Sequence, residues 1–314
     1  MQVTRGDAEQ ASTASVLTIG NFDGIHRGHQ ALLRLLTDKA QALGLPAVVL
    51  TFEPHPREYF APAQAPARLA SLREKLLLLA TAGVDITRII RFNARFAAFT
   101  AEDFIDTVLV RHLKVRHLII GDDFRFGAGR KGDFAMLKAA GERLGFVVEA
   151  MPTHACDAER VSSSAVRAAL AEGSLARAAQ LLGRPYSIAG RVVHGDQIGR
   201  TLGYPTANIQ LKGRRPPLSG VYAVAVEGLG DALRPAVASV GVRPTVNSAG
   251  RPTLEVHLFD FDQDCYGAHL RVHFLHKLRD EQKFDSFDAL TAQIALDADA
   301  ARNWLSHNSL DTSR

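Results

Sequence analysis

The fold-determining stretch is Val16-Leu17-Thr18-Ile19-Gly20-Asn21-Phe22-Asp23-Gly24, which continues after Ile25 into His26-Arg27-Gly28-His29. Its opening run has the composition of a short buried strand, and the glycines after it are typical of a tight turn. The residues that follow have a helical period, with one apolar face formed by Leu32, Leu36, Ala40 and Leu43. The stretch therefore predicts a strand, a glycine-rich turn and a helix in direct succession.

A turn of this kind, followed by a helix, can bind an anion. The glycines let backbone N–H groups approach a phosphate, and the helix start adds free N–H groups and a positive dipole end. His26 and His29 are expected to point roughly the same way into that position. A charged imidazole can hydrogen-bond phosphate oxygens. The arrangement suits a nucleotide that is attacked at its α-phosphate; taken alone, the histidines could also be a metal pair or ordinary surface residues.

Length and composition indicate a two-domain globular protein. The chain has 314 residues, of which 46% are hydrophobic and 22% charged, and this exceeds one ordinary core. The longest strongly apolar piece, Leu76–Ala80, is too short to span a bilayer, and Met1–Ser15 has no signal pattern. Cys156 and Cys265 lie far apart, outside any metal-type spacing. We therefore expect a cytoplasmic protein in a reducing compartment.

The charge of the chain favours small ligands over large polyanions. The formal net charge is +4, from 37 basic and 33 acidic residues, and no dense block of lysine or arginine occurs. We therefore expect small-molecule substrates, no nucleic-acid partner and no membrane partner. A monomer or a weak homo-oligomer is expected.

The two halves of the chain have different periodicities. Up to about Gly183, strand patterns alternate with helical ones, which predicts a doubly wound parallel sheet with ligands beyond the carboxyl ends of its strands. From about Pro185, short β-type runs bounded by turn residues predict an antiparallel sheet or small barrel. The tail Ser286–Leu305 is predicted to be helical. We expect one domain over residues 1–184 and a second over residues 185–314, with Ala168–Leu182 as a helical connector.

The individual elements follow from the same patterns. The strands expected in the first half are Val16–Ile19, Ala47–Phe52, Ile86–Phe92, His117–Ile120 and Phe146–Ala150. Those expected in the second half are Ile188–Val193, Val221–Val226, Ala236–Val240, Leu254–Phe259 and Leu270–Leu275. The apolar face of the C-terminal helix is expected to comprise Phe287, Leu290, Ile294, Ala298 and Trp304.

Three further motifs are expected to converge on the histidine pair. Thr51-Phe52-Glu53-Pro54-His55-Pro56 follows the second strand and is stiffened by its prolines. Gly121-Asp122-Asp123-Phe124-Arg125-Phe126-Gly127 follows the fourth strand and suits a planar ring and a phosphate. Val161-Ser162-Ser163-Ser164-Ala165-Val166-Arg167 is a hydroxyl-rich helix start that suits the outer phosphates of a nucleotide. Singly, they could also be a proline turn, a solvated loop and N-cap serines.

The first stretch resembles the signature of the HxGH nucleotidyltransferases, and the motifs together resemble the FMN adenylyltransferase module of prokaryotic bifunctional FAD synthetases. The resemblance implies AMP transfer from ATP to FMN, with His26 and His29 as catalytic residues that stabilise the transition state at the α-phosphorus. The residues it implies for ATP are Gly20, Phe22, Asp23, Gly24, His26, His29, Ser163 and Arg167. Those it implies for the FMN side are Pro54, Pro56, Asp123 and Arg160. The family often has Thr at the position of Ser164, and both residues supply a hydroxyl.

The second half contains spaced glycines that lead into Gly203-Tyr204-Pro205-Thr206-Ala207-Asn208. Such glycines let backbone approach a nucleotide, and Thr206 and Asn208 carry the oxygen atoms that Mg²⁺ prefers. A series of turns at a barrel rim would have the same composition. In the run Leu254–Leu258, Glu255 and His257 alternate with apolar residues and fall on the opposite face.

This half resembles the riboflavin kinases, through Gly-x-Pro-Thr-Ala-Asn and through Gly220–Ala223, Ser239–Thr245, Leu254–Asp262 and Leu278–Phe284. The resemblance implies Glu255 as the catalytic base and Mg²⁺ held by Thr206 and Asn208. The residues it implies for ATP in the kinase are Gly195, Gly199, Gly203, Thr206 and Asn208. Related sequences commonly have an arginine where this chain has Ile198, which implies weaker binding of ATP by the kinase.

Taken together, the resemblances cover the chain from Val16 to Trp304 and imply a bifunctional enzyme that converts riboflavin to FMN and FMN to FAD, with ATP as co-substrate in both steps. Neither step calls for a covalent enzyme intermediate. One alternative is a different HxGH enzyme whose second half only grips the substrate. Another is a flavin-sensing or nucleic-acid-binding protein without activity.

Overall fold

The computed structural model describes residues 1–6, 10–121, 123–151, 155–156, 159–195, 198–212, 215–243 and 251–308. Contacts within the chain divide it into two compact units. The first unit combines Met1–Pro66 with Leu72–Val161, and the second combines Ala67–Ser71 with Ser162–Arg314. The helices just before residue 184 thus belong to the second unit by their contacts, and the domain boundary expected at 184/185 stays a prediction.

A parallel sheet of six strands, in the order β1-β4-β3-β2-β5-β6, forms the centre of the first unit. Its strands are β1 Gln2–Arg5, β2 Ser15–Ile19, β3 Ala47–Glu53, β4 Ile86–Arg91, β5 Val115–Gly121 and β6 Val147–Met151. Five of them match predicted strands to within two residues at each end. The prediction lacks β1 because this edge strand buries only Thr4 and has no apolar alternation. A short antiparallel pair follows, β7 Ala155–Cys156 and β8 Glu159–Arg160.

Helices cover both faces of this sheet. They are α1 Arg27–Leu43, α2 Pro56–Phe60, α3 Leu72–Thr81, α4 Ala94–Ala97, α5 Ala101–Asp103 and α6 Phe134–Leu144, with a π-helix at Phe104–His112. Neighbouring residues of β2 enter different cores, because Leu17 packs with the π-helix and α6 whereas Val16 packs with α1 and α3. The predicted doubly wound parallel sheet is confirmed.

The buried face of α1 differs from the predicted one. Leu33, Leu36 and Ala40 are buried, whereas Leu43 is exposed. Leu43 is the last helical residue, and the chain turns away at Gly44, which adopts φ 63°. A glycine at this position commonly ends a helix because the left-handed conformation strains other residues.

A closed antiparallel barrel dominates the second unit, with strand order β10-β13-β12-β11-β14-β9. The strands are β9 Ser187–Val193, β10 Ala207–Ile209, β11 Gly220–Glu227, β12 Arg234–Arg243, β13 Arg251–Leu258 and β14 His269–Arg279. Of the two predicted possibilities, an antiparallel sheet or a small barrel, the barrel is therefore the correct one. The prediction lacks β10 because three residues next to a proline have the composition of a turn.

The remaining helices of this unit are α7 Ser163–Ala171, α8 Leu175–Leu182, α9 Ile198–Thr201 and α10 Phe287–His307. The expected connector is thus two helices, separated where Gly173 adopts φ 78°. Among the described helices, none is both long and apolar enough to cross a membrane.

Only the C-terminal half of α10 packs tightly on the barrel. Ala298, Ala301 and Leu305 join a core with strand residues, and Trp304 packs against it. Phe287, expected on the same apolar face, is 67% exposed. The first turns of α10 line a cavity and do not pack on a hydrophobic core. The apolar face predicted from the sequence is therefore longer than the part of the helix that is buried.

Candidate active sites

The loop after β2 has a strained backbone that buried side chains hold in place. Phe22 and Ile25 adopt φ 48° and 42°, on either side of Gly24 at φ 79°. Such φ values are uncommon outside glycine and cost about 1–3 kcal/mol each. Both apolar side chains are fully buried in the α1 core. Packing therefore offsets the strain and gives the loop one shape at the carboxyl edge of the sheet.

His26 caps the helix that follows. Its Nδ1 accepts a hydrogen bond of 3.3 Å from the backbone N–H of His29, and the residue is 7% exposed. A side-chain atom at Gly28 would lie 3.2 Å from the same Nδ1, so the glycine leaves room for the capping ring. An Nδ1 that accepts has no proton, so the proton of a neutral ring lies on Nε2. The patterns in the sequence do not predict this capping role.

His29 stacks on His26, with ring centroids 3.7 Å apart and an angle of 17° between the planes. Burial, followed by the nearby charges of His26 and Lys75, holds the pKa of His29 well below its usual value. Its Nδ1 is buried without a hydrogen-bond partner among the described residues. A bound phosphate would favour the charged form of His29, because an adjacent anion raises the pKa of an imidazole.

The other motifs of the first unit follow strands that neighbour β2. Pro54 and Pro56 flank His55, which caps α2 by accepting a 3.0 Å hydrogen bond at Nδ1 from the N–H of Arg57. The carboxylate of Asp123 forms an ion pair with Arg160, so the structure brings these two predicted residues together. Because β3, β2 and β5 are adjacent and parallel, their loops lie at one edge of the sheet. Asp122 is outside the described residues.

The aromatic residues of the Gly121–Gly127 loop pack on one another, and the ring-binding role of this loop stays a prediction. Phe126 is buried in the sheet core, and Phe124 packs on it with ring centroids 5.7 Å apart. Arg125 pairs with Asp133 at 3.0 Å. These residues therefore stabilise the fold locally.

An exposed aromatic surface lies on α2, and it is absent from the residues predicted for the site. The ring of Phe60 is 66% exposed and makes edge contacts with Tyr59 and Phe92. The signal in the sequence is the pair Tyr59-Phe60 directly after the proline loop. Large apolar groups exposed at a ligand-binding edge are typical of a surface that receives a flat apolar ligand.

The predicted residues Ser163 and Arg167 lie on α7, in the second unit. Ser162, and not Ser163, caps this helix, because its Oγ accepts a 3.1 Å hydrogen bond from the N–H of Ala165. The Nε of Arg167 donates to the carbonyl of Ala67 at 2.6 Å. The role of Ser163 and Arg167 beside the histidine pair stays a prediction.

In the second unit, Glu255 lies in a polar row across three barrel strands. It is directly opposite Asn208 of β10 and Ser239 of β12. Residues opposite one another in antiparallel strands project to the same face. Leu254 and Val256 fill the barrel interior, so Glu255 projects outward, as the alternation in the sequence predicts. The hydroxyl of Thr206 lies 3.5 Å from the Glu255 carboxylate.

The row borders a cavity of about 330 Å³. Thr206, Glu255 and His257 form its polar side, and Leu290 and Ile294 of α10 form an apolar side. His257 is held in place because its Nδ1 lies 2.8 Å from the carbonyl of Pro205. A cavity with one apolar wall and a few convergent polar groups is typical of a small-molecule site.

At two of the predicted ATP-binding glycines of this unit, groups of the protein itself leave no room for a side chain. A side-chain atom at Gly195 would overlap the Asn208 amide, and one at Gly199 would overlap the carbonyl of Tyr204. Gly203 adopts φ 82° with open space around it. At Gly195 and Gly199 the close approach that the glycine permits is therefore to the chain's own residues. The side chain of Ile198 lies outside what the structure describes.

The oxygen atoms beside Glu255 fit a hard divalent cation. A hydroxyl, an amide and a carboxylate come from Thr206, Asn208 and Glu255, and oxygen donors of this kind suit Mg²⁺. Within the described residues, no group of three or more His, Cys, Asp or Glu side chains could hold a metal alone. The donor set therefore fits an ion that shares its ligands with nucleotide phosphates and water.

The fold and sites define a class of protein: a nucleotidyltransferase-like α/β unit joined to a barrel with a phosphotransferase-like site. The FAD synthetase family matches residues 8–165, and the riboflavin kinase family matches residues 182–305. The protein of Escherichia coli strain K12 named bifunctional riboflavin kinase/FMN adenylyltransferase is 54% identical over 289 residues, 92% of either chain. The protein of that name from Haemophilus influenzae is 50% identical over 304 residues, 96% of this chain and 98% of its own.

A crystal structure from Streptococcus pneumoniae, titled as a macrolide-efflux protein, has a similar fold. It matches with a TM-score of 0.82 and 34% identity over 97% of this chain and all of its own. The chain belongs to the bifunctional riboflavin kinase/FMN adenylyltransferase family. It is an enzyme of flavin cofactor biosynthesis with both catalytic domains, and its substrates and products are ATP, riboflavin, FMN and FAD.

Proposed function

We propose that each activity has its own site, with adenylyl transfer at the histidine pair and phosphoryl transfer at the barrel cavity. The observation that carries this division is the separation of the two sets of functional side chains. His26 and His29 lie in the first contact unit, whereas Thr206, Asn208 and Glu255 lie in the second. The corresponding domains are proposed to span residues 1–184 and 185–314.

In the adenylyl transfer step, an FMN phosphate oxygen attacks the α-phosphorus of ATP and pyrophosphate leaves. We assign ATP binding in this step to the loop residues Gly20, Phe22, Asp23 and Gly24, together with Ser163 and Arg167. Nε2–H of His26 donates to an α-phosphate oxygen, and His29 stabilises the charge that develops there. The unpartnered Nδ1 of His29 supports a ligand at this position.

We assign the FMN side of this site to Pro54, Pro56, Asp123 and Arg160, with the exposed rings of Tyr59 and Phe60 as a further surface for the flavin. A flat flavin ring can pack against aromatic edges and faces. Arg160 can exchange part of its ion pair with Asp123 for the FMN phosphate, since an arginine binds phosphate as readily as carboxylate.

In the kinase step, Glu255 accepts the proton of the riboflavin 5′-hydroxyl as that oxygen attacks the γ-phosphorus of ATP. The bond from the γ-phosphorus to the bridging oxygen breaks, and ADP leaves. General-base assistance of this kind contributes about 10²–10⁴ in rate. Gly195, Gly199 and Gly203 shape the ATP-binding edge around Thr206 and Asn208. Thr206 and Asn208 would hold Mg²⁺, which supplies charge neutralisation for the phosphates when bound.

The remaining properties follow from composition. The net charge of +4 and the absence of a basic block support small-molecule partners without nucleic acid. We propose a cytoplasmic location and a monomer or weak homo-oligomer.

The experiment that tests the proposed function is incubation of the protein with riboflavin, ATP and Mg²⁺, followed by chromatography of the flavins. We expect FMN to form first and FAD to follow. The same incubation with EDTA is the control for the metal, and neither product should form. A riboflavin peak that is unchanged by ATP and Mg²⁺ would overturn the proposal.

A further inference from the structure

A buried ion pair joins the end of the barrel to the C-terminal helix. Nε of Arg279 donates to Oδ1 of Asp297 at 2.8 Å, and Nη2 donates to Oδ2 at 2.7 Å. Gln293, one turn earlier on α10, donates to the same Oδ1 at 2.9 Å. Asp297 is 7% exposed. Paired, parallel hydrogen bonds of this type fix orientation as well as distance.

Register places this pair on the cavity side of the barrel. Arg279 ends β14 directly opposite Val221 of β11, and Val221 is opposite Ser239. Ser239 is in turn opposite Glu255, so Arg279 and Glu255 share the outer face, three strands or about 14 Å apart. Both Arg279 and Asp297 line the cavity that Glu255 borders.

The pair marks the boundary between two differently supported halves of α10. The residues that pack on the barrel core, Ala298, Ala301 and Leu305, all follow Asp297. The residues before it, Leu290 and Ile294, form the apolar wall of the cavity. The ion pair therefore joins the two ends of the segment from Arg279 to Asp297. The apolar wall residues Leu290 and Ile294 belong to this segment.

Each nitrogen atom of the Arg279 guanidinium donates to a group of the protein itself. Nε and Nη2 are engaged by Asp297, and Nη1 donates to the carbonyl of Asp280 at 2.9 Å. Its guanidinium also lies 5.8 Å from the centre of the Phe284 ring, another residue of the cavity. All three nitrogen atoms thus hold the protein's own groups, which is the geometry of a positioning residue.

We propose that the Arg279–Asp297 pair is a clasp that holds the first half of α10 at the distance that the riboflavin ring requires. This inference rests on the proposed kinase site at the cavity. Leu290 and Ile294 are apolar and line the same cavity as Glu255, so this wall suits the flat ring of riboflavin and not the phosphates of ATP. Loosening the clasp should weaken riboflavin binding and leave the chemical step largely intact.

The variant Asp297→Asn tests the clasp, because the amide accepts one hydrogen bond from Arg279 and cannot accept the second at Nδ2. We expect the KM for riboflavin to rise at least fivefold, with kcat and the KM for ATP changed less than twofold. The matched control is Asp260→Asn, which breaks the two-bond pair of Asp260 with Arg302 of α10 at 3.1 and 3.2 Å. That pair is exposed and does not line the cavity, so riboflavin KM should stay unchanged.

A double variant separates positioning from direct recognition. Arg279→Met with Asp297→Leu replaces the pair by apolar groups, and such replacements often preserve packing. If the pair acts only by position, riboflavin KM should return to within threefold of the unaltered enzyme. Circular dichroism and urea unfolding of the same preparations report whether the barrel unit is folded.

The proposal is overturned if Asp297→Asn leaves riboflavin KM unchanged, or if it lowers kcat while KM stays constant. It is also overturned if the apolar double variant binds riboflavin no better than Asp297→Asn. Glu255→Gln, measured alongside, tests the proposed kinase site separately. Full kcat for riboflavin phosphorylation in that variant would refute the proposed site, whatever the results of the clasp variants.

Discussion

Substitution of Gly28 by alanine should separate the stability of the first unit from its activity. The new Cβ would lie 3.2 Å from Nδ1 and 3.3 Å from Cε1 of His26. These distances are a few tenths of an ångström below ordinary contact, so the capping imidazole must shift. The shift also disturbs its stack on His29, which has ring centroids 3.7 Å apart.

The stability terms nearly cancel. Alanine gains about 0.8–1.0 kcal/mol over glycine in a helix, and a weakened N-cap loses about 0.5–2 kcal/mol. We therefore expect the free energy of unfolding to change by less than about 1 kcal/mol, because these two terms oppose one another. The rate of adenylyl transfer has no such compensation. Because a displacement of a catalytic group by 1 Å can lower the rate about 10²-fold, the smaller shift of His26 should lower it about tenfold.

The assay is adenylylation of FMN at saturating ATP, with urea unfolding of the same sample. Phosphorylation of riboflavin is the internal control and should be unchanged. The reasoning would be refuted by full adenylylation activity in a folded Gly28→Ala protein, or by an equal loss in both reactions.

Three further predictions concern titration, the kinase site and the barrel core. Burial is the main cause that lowers the pKa of His29 from its usual value of about 6.5, so the unfolded state binds a proton at a higher pH than the folded state does. The free energy of unfolding should therefore fall as the pH drops below 6.5. His29→Gln should flatten this dependence of the free energy of unfolding on pH, measured by urea titrations. Gly195→Ala, which crowds the Asn208 amide, should reduce riboflavin phosphorylation at least tenfold and spare FMN adenylylation, and equal loss in both assays would argue against it. The hydroxyl of Tyr222 donates to the Ser219 carbonyl at 2.6 Å, and burial raises the pKa of Tyr222 to about 12. Tyr222→Phe should lower the free energy of unfolding in urea by about 1 kcal/mol. At pH 11, the phenolate absorbance of the unaltered protein should lack the contribution of one tyrosine.

Local patterns in the sequence were sufficient where a residue's surroundings are set by its neighbours in the chain. The apolar run before Gly20 predicted β2, and its alternation with helical segments predicted the parallel sheet. Alternation also predicted that Glu255 faces away from Leu254 and Val256, and the structure confirms it. These features depend only on the spacing of apolar residues along the chain, which can be read directly from the sequence.

Features that depend on distant pairing had no such signal. Asn208 and Glu255 meet because β10 pairs with β13, and β10 is too short to have a strand pattern of its own. Arg279 and Asp297 meet across a loop and half a helix, a separation with no periodic signature. Phe126 belongs to a loop whose composition suits a planar ring and a phosphate, yet its own ring is buried in the sheet core. Composition alone does not distinguish a ring that packs from one that binds.

The central claim is that two independent sites carry the two reactions, and reciprocal single variants test it most directly. His29→Ala and Glu255→Gln would each be assayed for riboflavin phosphorylation and, with FMN supplied, for FAD formation. We predict that His29→Ala forms FMN at the normal rate and no FAD, whereas Glu255→Gln forms FAD from FMN normally and phosphorylates riboflavin at least 10²-fold more slowly. Loss of both reactions in either variant, with circular dichroism and urea unfolding unchanged, would contradict the account.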